Sequence, residues 1–325
     1  MMNEGDSRAV NPSETVKAQV CAAIDIGTNS VKLLVAAADA RDWHRIYETA
    51  AVTRLGESMQ AQSLRLREAA MRRTLDALAT MVTTARERGA ARIVAVGTAA
   101  LRDAVNRDEF LQRARERCGL DIEVIAGDEE ARLSFQAVRL DARWSNCPML
   151  LVLDIGGGST EIIGGEPHSA GIASRISINL GAVRITETYL KSDPPTVAQL
   201  TAANSAVAEA LQNVRIDASA RPFTVVGVGG TLTNLAAMDR GGIRDPDELH
   251  GYVLTADRLE RRIEQLASAT IAQRQEMPGL DPRRADIILG GAILLSQTLA
   301  CTGASDVAVS VRGLRWGLLY DRCCQ

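Results

Sequence analysis

The sequence predicts an α/β protein made of two related lobes with a cleft between them. Its 325 residues are enough for about two ordinary domains. Short apolar strands alternate with amphipathic helices in both halves. A strand that ends in Asp-Ile-Gly and resumes as a second strand occurs twice, in AAIDIGTNSVKLLV (22–35) and LVLDIGGGSTEII (151–163).

Residues 1–19 are polar, contain Gly and Pro and follow neither period, so they read as a loose tail. Strands are expected at 21–26 and 30–38, with a third in HRIYETAAVTRL. A long helix follows near 64–88, placing Leu64, Met71, Leu75, Leu78, Val82 and Ala85 on one face, with Gly89 positioned to end it. RIVAVG reads as a strand, 106–117 as a helix and IEVIA as a strand, and another helix starts at about 128, with Asp128 as its N-cap candidate.

The second half repeats that order. MLLVLDIG, STEIIGG and GIASRISIN read as strands, followed by helical stretches to about 213, the strand FTVVGVG, more helix and the strand DVAVSV. ARWSNCP (142–148) reads as the connection between lobes, and the last stretch, RGLRWGLLYDRCC, is expected to cross back to the first. Similarity that is weak in residues but clear in order is what an old duplication leaves.

Composition sets limits on function. With 46% hydrophobic, 24% charged and only 3% aromatic residues, the core must rest on Leu, Ile, Val and Ala. A net charge of −3 argues against a general nucleic-acid binder. No apolar run reaches the ~18 residues of a spanning helix, so no membrane insertion is expected. Six cysteines without a CxxC pair and no signal peptide favour the cytoplasm. Three scattered histidines have no zinc spacing; His250 reads as structural. Eight arginines against four acids within 54–92 offer a basic stripe, of which one or two residues are expected to line the cleft.

A carboxylate in an apolar strand is costly unless it is paired or binds a cation. After each strand aspartate, several backbone N–H groups meet at a corner that no side chain blocks, which suits phosphate oxygens. Gly27, Thr28, Asn29 and Ser30 form one corner, and Gly156, Gly157, Gly158 and Ser159 the other. Phosphate polyanions travel with divalent metals, and Asp154 with Glu161 supplies the hard oxygen ligands that Mg²⁺ prefers; Asp25 occupies the matching position. Taken singly, either turn also reads as a glycine-rich hairpin. In a third turn, VVGVGGTLTNLAAM, Gly229 and Gly230 precede a helix whose N-terminus offers another phosphate contact.

With these turns in place, the chain resembles the exopolyphosphatase and guanosine pentaphosphate phosphohydrolase family of the actin-like superfamily. The resemblance rests on AAIDIGTNS, GTAALRDA, EVIAGDEEARLSF, LVLDIGGGSTE, GVGGT, PRRADIILGGAIL and VSVRGLRWGLLY, spanning Cys21 to Tyr320. It implies two actin-like (ribonuclease H-like) lobes, with domain I formed by 20–127 plus about 311–325 and domain II by 128–310. It also implies hydrolysis of a phosphoanhydride bond in inorganic polyphosphate or guanosine pentaphosphate. The family's catalytic glutamate falls on Glu130, and its phosphate-contacting arginines on Arg102 and Arg284. Taken alone, Glu129 and Glu130 also read as ordinary first-turn helix residues. Where the family carries Glu in its Leu-Arg-Glu-Gly stretch, this chain has Trp316, expected to pack. A sugar kinase, an actin-like ATPase and a noncatalytic sensor of phosphate polymers are the rival readings, and monomer and homodimer are both open.

Overall fold

The computed structural model describes residues 19–39, 42–59, 64–169, 171–212, 222–242 and 245–323. Of the tail expected at 1–19, residues 1–18 lie outside them, and Gln19 already belongs to the first strand. In the first half, β1 (Gln19–Ile26), β2 (Ser30–Ala38) and β3 (Trp43–Val52) are followed by α1 (Glu68–Glu87), β4 (Arg92–Gly97), α2 (Ala99–Asp103), α3 (Arg107–Cys118), β5 (Ile122–Val124) and α4 (Gly127–Arg139). These strands make one sheet in the order β3-β2-β1-β4-β5, antiparallel among the first three and parallel across β1-β4-β5.

The second half contains β6 (Leu150–Ile155), β7 (Thr160–Gly165), β8 (Ile172–Ile178), α5 (Ala182–Tyr189), α6 (Val197–Leu211) and β9 (Thr224–Val228). Then come α7 (Gly230–Asp239), α8 (Pro246–Leu249), β10 (Val253–Thr255), α9 (Ala256–Ser268), α10 (Ile271–Gln275), α11 (Ile288–Thr302), β11 (Asp306–Val309) and α12 (Leu314–Arg322). Its sheet runs β10-β11-β9-β6-β7-β8. Without the edge strand β10, its order and strand directions repeat those of the first sheet.

Both faces of each sheet are covered, which is why the central strands read as nearly continuous apolar runs. Ala22, Ile24 and Ile26 face a core shared with Met71, Leu75, Leu78 and Val82 of α1 and Phe110 of α3. Cys21 and Ala23, of opposite parity, pack with Leu133 and Ala137 of α4 and Leu318 of α12. The other face of α4 presents Ala131, Phe135 and Val138 to Leu150, Val152 and Ile163 of the second sheet. Helix α4 therefore serves both cores. A Cβ on Gly317 of α12 would fall 2.0 Å from the Leu133 carbonyl oxygen, so the two helices cross where only glycine fits.

Several local expectations need correction. Leu64 precedes α1 and is 45% exposed, because the helix begins only at Glu68. Asp128 does not cap α4: Ala126 is the N-cap, and the Asp128 carboxylate pairs with Arg175 at 2.9 Å from inside the first turn. IEVIA shortens to a three-residue strand, with Ile125 N–H still donating to Gly97 O at 3.0 Å and its side chain in the core. Trp316 is buried against that core, with the Arg312 guanidinium 4.5 Å over its ring.

Candidate active site

The two hairpin turns are closed by the same bond. Gly27 N–H donates to Ser30 O at 3.0 Å in the first, and Gly156 N–H to Ser159 O at 3.0 Å in the second. The turns also touch each other. A Cβ on Gly158 would come within 2.5 Å of Thr28 Oγ1, and one on Gly157 within 3.4 Å of the Asn29 Cβ. Glycine is thus required where the two corners meet, and a cleft of about 670 Å³ opens beside them.

Of the residues the sequence singles out, Asp25, Gly27, Thr28, Asn29, Ser30, Glu130, Asp154, Gly156, Gly157, Gly158, Ser159, Gly229, Gly230 and Arg284 line this cleft. Arg102 and Glu161 are not among its lining residues. Arg102 lies behind Glu130, donating from Nη1 to Glu130 Oε2 at 3.2 Å and to Ile125 O at 3.1 Å. Glu161 is 0% exposed because β7 pairs it with Asp154 on the sheet face that α4 covers. Ser177 donates to its Oε1 at 2.9 Å, and its Oε2 has no hydrogen-bond partner among the described residues.

Glu130 of α4 and the strand acids Asp25, Asp154 and Glu161 therefore lie close together, with only Lys32 on Asp25 and Arg102 on Glu130 as paired cations among the described residues. Burial, reinforced by Asp154 and Asp25 and opposed by Arg102, pushes the Glu130 carboxyl up to about 8. Burial raises Asp154 as well, against Lys32 and the Ser134 hydroxyl. Burial, then Glu130 and Asp154, carries Glu161 well above the usual carboxylate range. A bound cation would relieve all three.

Among the described residues no group of three or more acidic, histidine or cysteine side chains is placed to hold a metal ion by itself. The acids facing the cleft fit a hydrated ion such as Mg²⁺, which keeps several waters and takes one or two carboxylates plus phosphate oxygens. In that arrangement Asp154 and Asp25 would hold the ion, and Glu161 would contribute charge from behind.

The same cleft is also lined by cations. Arg284 is desolvated, which lowers its pKa, and its guanidinium makes no side-chain hydrogen bond or ion pair with a described residue. It lies over the N-terminus of α7: a Cβ on Gly230 would fall 2.2 Å from Arg284 Nη2. The cleft also takes Lys32, Arg283 and Arg315, which the sequence reading missed. Lys32 had a readable signal, since a hairpin turning at 27–30 sets it opposite Asp25, and its Nζ lies 3.4 Å from Asp25 Oδ2.

None of the eight arginines in 54–92 lines the cleft. Arg54 pairs with Asp286 at 2.7 Å, Arg73 with Glu57 at 2.9 Å, and Arg88 stacks on Tyr47. His250 is structural: its Nε2 lies 2.9 Å from Asp141 Oδ2, and its ring meets Trp144 edge-on.

A model of the Ppx/GppA phosphatase family matches residues 34–324. The chain belongs to that family. It is 36% identical over 291 residues to exopolyphosphatase 2 of Mycobacterium tuberculosis, covering 85% of this chain and 88% of that one. It is 30% identical over 301 residues to the guanosine-5'-triphosphate,3'-diphosphate pyrophosphatase of Photobacterium profundum, covering 92% of this chain and 58% of that protein. The Aquifex aeolicus Ppx/GppA crystal structure superposes with a TM-score of 0.78 at 32% identity, over 94% of this chain and 97% of that one. The fold is accordingly that of two actin-like lobes, and the protein is a Ppx/GppA hydrolase of phosphoanhydride bonds.

Proposed function

We propose that this Ppx/GppA phosphatase is an exopolyphosphatase that releases terminal phosphate from inorganic polyphosphate, using a divalent cation, Mg²⁺ first among them. The observation that carries the reading is one cleft lined both by buried acids and by the desolvated Arg284, which meet at neighbouring glycines: Gly229 against Asp154 and Gly230 against Arg284. A phosphate chain with its cation can meet both. The N–H groups of the turns at 27–30 and 156–159 cradle the terminal phosphates, and the α7 N-terminus with Arg284 holds the chain further along.

Glu130 orients the attacking water and accepts its proton, the general-base role. Only its ionised form can do so. Arg102, hydrogen-bonded to Oε2, favours that form and fixes the carboxylate, a role for Arg102 beside the direct phosphate contact expected from the family. When bound, the cation supplies positive charge against the phosphate oxygens and the acids around them.

The expected domain division, 20–127 with about 311–325 and 128–310, belongs to the same proposal, as does a cytoplasmic location without nucleic-acid partners. No helix among the described residues is long and apolar enough to cross a membrane. A homodimer is compatible with this reading and is not required by it. Guanosine pentaphosphate is the second reading, favoured by the apolar part of the cleft wall at Ala237, Leu249, Leu280 and Pro282, which a phosphate chain does not need.

The test is Mg²⁺-dependent phosphate release from long polyphosphate, short polyphosphate, guanosine pentaphosphate and ATP in parallel, by wild type and Glu130→Ala. Polyphosphate turnover that the substitution abolishes is the expected result. Turnover of the pentaphosphate alone moves the assignment to the alarmone, ATP alone to an ATPase, and binding without turnover to a sensor.

A further inference from the structure

Helical hydroxyls in this protein have a habit. Thr74, Thr80, Thr186, Thr201, Thr298 and Thr302 all donate to the carbonyl four residues earlier in their own helix. Ser134 departs from it. It is 0% exposed in the middle of α4, and its Oγ donates out of the helix to Asp154 Oδ2 on β6 at 2.8 Å.

The other oxygen of the same carboxylate has a different setting. Gly229, held at φ +89, approaches so closely that a Cβ there would lie 2.9 Å from Asp154 Oδ1. One oxygen is thus tied to α4, and the other is left beside the glycine turn that lines the cleft. Ser134 stands four residues after Glu130, on the same face of α4. One helix therefore carries the candidate base and, a turn later, the group that orients the candidate cation ligand.

We propose that Ser134 is a positioning residue, holding Asp154 so that Oδ1 faces the cleft and keeping it in register with Glu130. This rests on the proposed role of Asp154. A hydrogen bond to a charged group is worth enough that its loss reads as about tenfold or more.

The test is a double-mutant cycle of Ser134→Ala and Asp154→Asn, read in two ways. The first is calorimetric Mg²⁺ binding to the substrate-free protein; the second is kcat and KM for tripolyphosphate hydrolysis. The expected result is that Ser134→Ala weakens Mg²⁺ binding and lowers kcat, each about tenfold, with KM changed less than about threefold. In the Asp154→Asn background the same change should have no further effect on kcat, and Ser134→Thr, which keeps the hydroxyl, should restore both readouts. Equal losses with and without Asp154, or an unchanged cation affinity in a folded Ser134→Ala, would overturn the proposal. If Ser134→Ala does not fold, Ser134→Cys of similar size and weaker donation takes its place, with an intermediate loss expected and no loss contradicting the role. If the wild type binds no Mg²⁺, the cation role of Asp154 fails separately, and the kcat cycle alone decides whether Ser134 acts through it.

Discussion

The two hairpins begin alike and end differently. In the first, the residue paired across the strands with Asp25 is Lys32; in the second, the residue paired with Asp154 is Glu161. The same position in a repeated unit thus carries a cation in one lobe and a second acid in the other. The first hairpin largely neutralises itself, at 3.4 Å between Lys32 Nζ and Asp25 Oδ2. The second cannot, and its acids are driven toward their protonated forms. In the proposed function both corners hold phosphate, and this one exchange would direct the need for an added positive charge to the second.

Substitutions that break the comparison should follow this asymmetry. Asp154→Asn is expected to lower kcat by about 10²-fold or more and blunt the response to Mg²⁺, measured by phosphate release across a Mg²⁺ titration. Unchanged activity at limiting Mg²⁺ would contradict its role. Gly230→Ala places a methyl group on the Arg284 guanidinium, so KM for polyphosphate should rise about tenfold with a smaller change in kcat, read from steady-state kinetics. Asp25→Asn, whose partner Lys32 remains on the cleft wall, should cost less than Asp154→Asn, about three- to tenfold in kcat under the same assay. The smallest effect on catalysis is expected for Glu161→Gln, which removes a charge from behind the cleft wall without touching substrate.

Much of this was legible in the sequence, and the reasons are physical. A period of 3.6 survives in α1 because it hides one face, continuous apolar runs mark β1, β2 and β6 because both their faces are covered, and the glycines of the two turns are dictated by backbone approach. Glu130 and Asp154 were visible through their motifs. What sequence spacing did not reveal was depth. Glu161 sits beside the right residue yet one layer back, because α4 settles over β6 and β7 and covers it, and Arg102 is turned to Glu130 and the Ile125 carbonyl instead of lining the cleft. Arg283 and Arg315 come to the cleft from segments remote in the chain, whereas the arginine-rich stretch 54–92 forms ion pairs and an aromatic stack elsewhere. Ser134 carried no signal at all, since a serine within a helix is ordinarily bonded to its own backbone.

The measurement that reaches the centre of this account is thermal unfolding from pH 5 to 9, in EDTA and in Mg²⁺, for wild type and Glu161→Gln. The folded-state pKa values of Glu130, Asp154 and Glu161 are raised, so these groups stabilise the fold fully only below their unfolded values. That contribution is lost as pH rises through the folded values, about 8 for Glu130. In EDTA the wild-type Tm should therefore fall with increasing pH more steeply than that of Glu161→Gln, the two separating by several degrees, roughly 2–6 °C, at the alkaline end. Mg²⁺ should close most of that gap. Parallel curves that Mg²⁺ leaves unmoved would contradict the claim that the second hairpin holds unbalanced acids awaiting a cation.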